Sequence, residues 1–305
     1  MQEKRYRTFN DELRKLFGLR VRRISLDAGF SCPNRDGTTG EGGCSFCGSR
    51  GSAAVGVPVE LPVAEQLEKS KEYLIRKFRA QRFLAYFQAY SNTYADADTL
   101  KNFYTQPLSD PDVVGIIVGT RPDCLPEDVL QLLSSLNSET YLWLELGMQT
   151  MHDRTLAAIN RGHDHACFVA AAERCKALGL RVCAHLILGL PGESREEMLQ
   201  SVMELNRLGV DGVKFHHLHI LKGSRLEEEY LDGKINLLDR DVYVQLVCDC
   251  IEQLDARIMI HRLMGDGRSE LVAPDWSRRK LEVLNMIDGE LNKRDSRQGS
   301  RLSLE

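Results

Sequence analysis

Cys32-Pro33-Asn34-Arg35-Asp36-Gly37-Thr38-Thr39-Gly40-Glu41-Gly42-Gly43-Cys44-Ser45-Phe46-Cys47 packs three cysteines into one polar, glycine-rich loop, just after a strand-like run. Three thiolates are one too few for a closed four-iron cluster, which takes four. A closed structural zinc site also takes four ligands. Three soft ligands that leave one metal position open make a reactive arrangement when the metal is an iron–sulfur cluster. The glycines let the chain fold round a bulky inorganic group and turn N–H groups towards its sulfides. Two other readings of these residues stay open. Zinc would favour a His three to five positions past Cys47, where the chain has Arg50, Gly51 and Ser52. A closed electron-transfer cluster would need a distant fourth cysteine, and no second pair of this kind accompanies the first.

Outward from the loop, strand and helix patterns alternate. Helical spacing is expected over Thr8–Leu16, Pro62–Phe78, Asp98–Tyr104, Pro126–Leu136, His152–Ile159, His165–Leu178, Ser194–Leu208 and Asp241–Leu254. Strand-like runs lie at Val21–Leu26, Phe83–Tyr90, Val113–Val118, Tyr141–Leu146, Arg181–Leu188, Gly212–His217 and Arg257–His261. Several of these runs are almost wholly apolar, as parallel strands buried on both faces are. Ser194 and Glu197 form a capping-box signature ahead of one helix. At least six βα units in succession predict an α/β fold, a complete or partial (β/α) barrel. Its divisions would be an N-terminal basic helix (1–20), the core barrel (21–262) and an irregular C-terminal extension (263–305). Functional loops of such barrels lie at the C-terminal ends of the strands, where the cysteine loop falls.

Hydrophobic residues make up 43% of the chain and charged ones 28%, which suits a soluble globular protein. No apolar run approaches the roughly 20 residues of a membrane-spanning helix. Nine cysteines, an odd number, argue against a disulfide framework and for a cytoplasmic protein. The net charge of −4 excludes a generic polyanion binder. The first 23 residues are nevertheless basic, with Lys4, Arg5, Arg7, Arg14, Lys15, Arg20, Arg22 and Arg23 against Glu3, Asp11 and Glu12. Arg76, Lys77, Arg79 and Arg82 form a second basic stretch. Such stretches can track phosphates or can be solvated helix faces.

Further candidates stand at strand ends. Gln149 can hydrogen-bond a ribose or carboxylate, and Arg161 can fork onto a carboxylate; a turn residue and a surface ion pair are the plain alternatives. Cys124 is a candidate active-site thiol at the barrel mouth, or else a buried free cysteine. His216, His217 and His219, with Lys222, end the sixth strand in a polar loop suited to substrate hydrogen bonds or to a metal.

The Cys-x11-Cys-x2-Cys spacing, with Phe46 inside the last pair, resembles the cluster loop of radical S-adenosylmethionine (SAM) enzymes. "ELGMQT…INRGH" and "HLILGLPGE" are similar to later segments of the Elongator-type and coproporphyrinogen-dehydrogenase-type branches. "GFSCPNRDGT", "YFQAYSNTYA" and "GTRPDCL" extend the resemblance to the stand-alone, Elongator-like YhcC/YtqA family. The resemblance implies a partial (β/α)6 TIM-like barrel, with a [4Fe-4S] cluster on Cys32, Cys44 and Cys47 and SAM on its open iron. It places Phe46 near the adenine, Gln149 and Arg161 on SAM, His185 near the ribose and the Gly189 turn beside the adenosine. The family's glycine pair after strand two is absent, so the amine contact falls to Ser91, to Asn92 or to backbone elsewhere. The implied activity is reductive cleavage of SAM to a 5′-deoxyadenosyl radical, with tRNA wobble uridine as the implied substrate and a 5-carboxymethylaminomethyl group going towards 5-aminomethyl. A reducing partner such as flavodoxin or ferredoxin would supply the electron. A small metabolite or porphyrin-like substrate, or a non-catalytic iron–sulfur relay, are the alternatives.

Overall fold

A computed structural model of the chain describes residues 4–48, 51, 59–266 and 270–302; Arg50, Ser52 and the first three residues lie outside this set. The strands are β1 (Val21–Leu26), β2 (Arg82–Phe87), β3 (Val113–Thr120), β4 (Tyr141–Gln149), β5 (Val182–Leu188), β6 (Gly212–His217), β7 (Ile220–Leu221), β8 (Met259–Arg262) and β9 (Leu271–Ala273). The helices are α1 (Phe9–Phe17), α2 (Val63–Phe78), α3 (Ala97–Leu108), α4 (Glu127–Glu139), α5 (Asp153–Ala158), α6 (His165–Ala177), α7 (Arg195–Leu208), α8 (Arg225–Leu231), α9 (Arg240–Gln253) and α10 (Lys280–Lys293).

One parallel sheet runs β1-β2-β3-β4-β5-β6-β8, so each helical crossover advances the sheet by one strand. The sheet is curled into a half-barrel. In a flat sheet β2 and β6 would stand about 19 Å apart. Here the Lys214 ammonium of β6 lies 3.0 Å from the Tyr86 hydroxyl of β2. Alternation along the strands separates two cores. Phe83, Ala85 and Phe87 face the helices, together with Leu142, Leu144 and Leu146. Leu84, Tyr86, Ile117, Trp143 and Cys183 face inward.

Helix α1 plugs the lower end of this interior. Thr8 caps it, its hydroxyl accepting the Asp11 N–H at 3.1 Å. Phe9 and Leu13 are buried, and Phe9 meets Trp143 edge to face at 5.6 Å. The basic N-terminus is therefore occupied in tying the chain ends together. Lys4 pairs with Asp288, Arg5 with Asn292 and Asp295, and Arg7 donates to the Arg257 carbonyl.

The seventh parallel strand, β8, completes what the sequence reads as six units. The expectation of an irregular tail is corrected. Helix α10 buries Val283, Ile287 and Leu291 at a four-residue spacing, and Arg294 just beyond it binds Asp249 and Glu252 of α9. Pro62 and Pro126 each precede rather than open their helices. Among the described residues no helix is long and apolar enough to cross a membrane.

Candidate active site

The C-terminal ends of the strands surround a cavity of about 1250 Å³, its open mouth included. Cys32, Cys44, Phe46, Cys47, Gln149, Arg161 and His185 all line it. The sequence places these residues up to 153 positions apart, and the curled sheet brings them together.

The cysteine loop is shaped by its neighbours. Asn34, fully buried, donates to the Asn160 carbonyl at 2.6 Å, and Asn160 donates to the Gly43 carbonyl at 2.8 Å. Ser45 N–H reaches the Ile159 carbonyl at 2.9 Å. The Asn160-Arg161-Gly162 turn is thus the buttress of the loop. Gly162, at φ +77°, is needed there, since a Cβ would stand 2.6 Å from Asn34 Oδ1.

Two N–H donors point at one sulfur: Arg161 Nη1 lies 3.4 Å from Cys44 Sγ and Asn34 Nδ2 lies 3.6 Å from it. The contact with Cys47, and then the Arg161 charge, hold the Cys44 thiol well below its ordinary range. Soft thiolates with N–H groups turned on their sulfur are what an iron–sulfur cluster takes, so the residues fit that group.

Arg161 is otherwise fixed by the Gly147 carbonyl at 2.9 Å, and its Nε is buried without a partner. Gln149 sits in the left-handed region at φ +72°, where β4 breaks register with β5. That strain turns the amide into the cavity beside Arg161. Gly147 makes this possible, because a Cβ there would come within 2.4 Å of Gln149 Nε2 and 2.5 Å of Arg161 Nη2.

Four expected contacts are placed elsewhere. Ser91 and Asn92 are buried and bonded to β3: Ser91 Oγ meets Thr120 Oγ1 at 2.8 Å, and Asn92 Nδ2 donates to the Gly119 carbonyl at 2.8 Å. Gln88 and Tyr90, just past the end of β2, line the cavity instead. Cys124 lines a separate cleft with Pro33, Tyr94 and Cys167, and burial pushes its thiol up to about 12. It is a neutral thiol in a cleft on the other side of the cysteine loop, and it does not line the main cavity. Gly189, at φ +83°, turns the chain under Leu238 and does not line the cavity. Lys222 is exposed outside it. His216, His217 and His219 do line it, with His217 and His219 joined Nε2 to Nε2 at 2.7 Å.

Sequence reading misses the charged floor. Glu145 is 1% exposed, and its Oε2 accepts from Tyr86 at 2.6 Å, from His185 Nε2 at 2.9 Å and from Lys214. Burial alone would raise the Glu145 carboxyl; Lys214, His185 and His261 overrule it and hold it well below the usual range. Burial lowers Lys214 to about 8 and His185 to about 4, against the pull of Glu145. Arg121 also enters the lining, forked onto Asp123 at 2.8 and 2.7 Å.

The radical SAM superfamily profile matches residues 35–205, and the radical SAM C-terminal domain profile matches residues 210–293. The chain belongs to the radical SAM superfamily. Within this superfamily it is 45% identical to the uncharacterized protein YtqA of Bacillus subtilis, over 97% of the chain and 92% of YtqA. That likeness places it in the YhcC/YtqA family. A tRNA uridine(34) acetyltransferase of Dehalococcoides mccartyi is 27% identical over 50% of the chain and 33% of its own length. The archaeal Elp3 of Methanocaldococcus infernus shares the fold, with a TM-score of 0.71 at 16% identity over 91% of this chain and 64% of that one. As a radical SAM enzyme the protein uses a [4Fe-4S] cluster and SAM.

Proposed function

We propose that this radical SAM enzyme acts on a wobble uridine of tRNA, taking a 5-carboxymethylaminomethyl side chain towards 5-aminomethyl. In this reading Cys32, Cys44 and Cys47 hold the cluster, while Gln149 and Arg161 face the amino-acid end of SAM. Phe46 packs on the adenine. When bound, these groups supply the 5′-deoxyadenosyl radical that abstracts hydrogen from the substrate.

The chain's own residues do the positioning. Arg161 offers a guanidinium to a carboxylate and an N–H to Cys44, which fixes SAM relative to the loop. The Glu145 network keeps the floor of the cavity polar yet closed, so a substrate entering from the mouth meets ordered groups rather than bulk water. An anticodon base is single-stranded and can be turned out into such a mouth. The observation that carries the tRNA reading is the half-chain similarity to a tRNA uridine(34) acetyltransferase.

Modified nucleosides in bulk tRNA from a strain lacking the gene, compared with its parent, test the reading. Loss of 5-aminomethyl-type nucleosides and gain of the 5-carboxymethylaminomethyl form are expected. Reduced, reconstituted enzyme is expected to form more 5′-deoxyadenosine when that tRNA is added. An unchanged nucleoside profile overturns the substrate.

A further inference from the structure

The far end of the cavity carries a cation with no ion-pair partner among the described residues. Arg262 ends β8 in register with Lys214 of β6, and it lines the cavity. Its Nε is buried without a hydrogen bond, and no described residue forms an ion pair with its guanidinium. Lys214 alongside is committed to Glu145. Asp266 follows closely in the chain but is exposed and bound to Lys280. Arg23 stays below the lining, its guanidinium 5.7 Å from the Phe9 ring.

His216 faces the same space. Its Nδ1 lies 2.6 Å from the His217 carbonyl oxygen, which can only accept. Burial and the Arg262 charge hold the ring well below its usual range, so it is neutral. Nδ1 therefore carries the hydrogen and Nε2 a lone pair. Gly265 makes room for the ring, since a Cβ there would stand 2.4 Å from Nε2.

A guanidinium fork and an imidazole lone pair in one cavity are a carboxylate donor set and an amine acceptor. We propose that Arg262 and His216 form a subsite for an N-substituted glycine, with Arg262 holding the carboxylate and His216 Nε2 accepting the amine N–H. The substrate's identity rests on the wobble-uridine reading, since a carboxymethylaminomethyl group is such a glycine. Charge selects carboxylate over phosphate. Glu145 neutralises Lys214, His216 and His217 are neutral, Arg121 is paired with Asp123, and Arg35 and Arg161 are bound to the cysteine loop, so Arg262 is the positive charge left beside His216. A carboxylate balances that charge, whereas a phosphate dianion exceeds it.

The test uses N-methylglycine as the probe on SAM-loaded holoenzyme, read by saturation-transfer NMR, with methyl phosphate and N-methylethylamine in parallel. Wild-type enzyme is expected to bind N-methylglycine and to give little signal with the other two. Arg262→Gln is expected to weaken that binding at least tenfold, and Arg262→Lys by less. Circular dichroism of each variant checks its fold, and Arg262→Lys alone decides if Arg262→Gln is unfolded. No binding to wild type, equal binding of methyl phosphate, or binding as tight as wild type in the folded Arg262 variants overturns the subsite. An unchanged nucleoside profile in the deletion strain, with N-methylglycine binding intact and sensitive to Arg262, overturns the tRNA reading and leaves the subsite standing.

Discussion

Lys214 Nζ lies 3.0 Å from the Tyr86 hydroxyl, although three strands separate their own in the sheet. Both groups converge on one oxygen of Glu145, the carboxylate that β4 carries into the barrel. Curling the sheet is what lets these three meet. An ammonium 2% exposed and a carboxylate 1% exposed cost several kcal/mol each to bury, and their pairing offsets that only while both are present.

Removing one partner is therefore strongly destabilising. Glu145→Gln is expected to lower stability by about 3–5 kcal/mol, because Lys214 is left buried and unpaired. Adding Lys214→Met to it is expected to recover most of that loss. Urea unfolding of the two single variants and the double variant measures the coupling. Additive effects would show that the pair is not a unit.

Acid should weaken the same floor. Folded, His185 and His261 each titrate at about 4 rather than 6.5, mainly because they are buried. Between those values the unfolded chain binds more protons than the folded one, so stability is lost as pH falls from about 6.5 towards 4. His261 stacks on Phe9 at 3.9 Å, an arrangement that Phe can keep. His261→Phe is expected to flatten the slope by at most about 1.4 kcal/mol per pH unit, measured by denaturant unfolding across that range.

At the cysteine loop, exchanging a soft thiolate for a hard, protonated hydroxyl removes a cluster ligand. Cys32→Ser, Cys44→Ser and Cys47→Ser are each expected to abolish SAM cleavage and to lower iron content after anaerobic reconstitution. A variant that cleaves SAM at the wild-type rate would remove that cysteine from the ligand set.

Gly147 offers a test of the SAM contacts that spares the cysteines. A methyl group there must displace the ends of Gln149 and Arg161 while leaving the β4 backbone in place. Gly147→Ala and Arg161→Ala are expected to weaken SAM binding by about 1.5–3 kcal/mol, the range of a charge-assisted contact. Calorimetric SAM titration of reconstituted protein is the measurement. Unchanged affinity in both would separate these residues from SAM.

The cysteine loop, the Asn160–Gly162 turn and the strand order are legible in the sequence because each depends on local spacing. The Glu145–Lys214–Tyr86 network is not, since its members share no local pattern and meet only through curvature. A signal was present all the same. Glu145 and Lys214 are single charges inside runs that read as strands buried on both faces, and a buried charge calls for a partner. Ser91 and Asn92 mislead for the opposite reason: polar residues after a strand suggest a ligand, but here they satisfy the end of β3. Helix α10 was readable from Val283, Ile287 and Leu291, whose spacing of four marks a buried helical stripe.

The basic stretch at β1 yields the last prediction. Its position matters more than its charge. Arg20 and Arg22 stand at the start of β1, and the cavity lies past the other end of this six-residue strand, about 20 Å away. Both are engaged with the end of α2: Arg20 Nη1 donates to the Phe78 carbonyl at 3.3 Å, and the Arg22 guanidinium lies 4.9 Å from the Phe78 ring. Removing one bound phosphate from an RNA interface should flatten the slope of log K against log salt by about 0.7–0.9 units. The double variant Arg20→Ala/Arg22→Ala is expected to keep the wild-type slope and tRNA affinity, because neither residue stands near the mouth that would receive the base. Filter binding over a salt series reads both quantities. A slope flatter by that amount or more would mean that tRNA reaches round the barrel to its lower end, and would make these arginines part of the RNA surface.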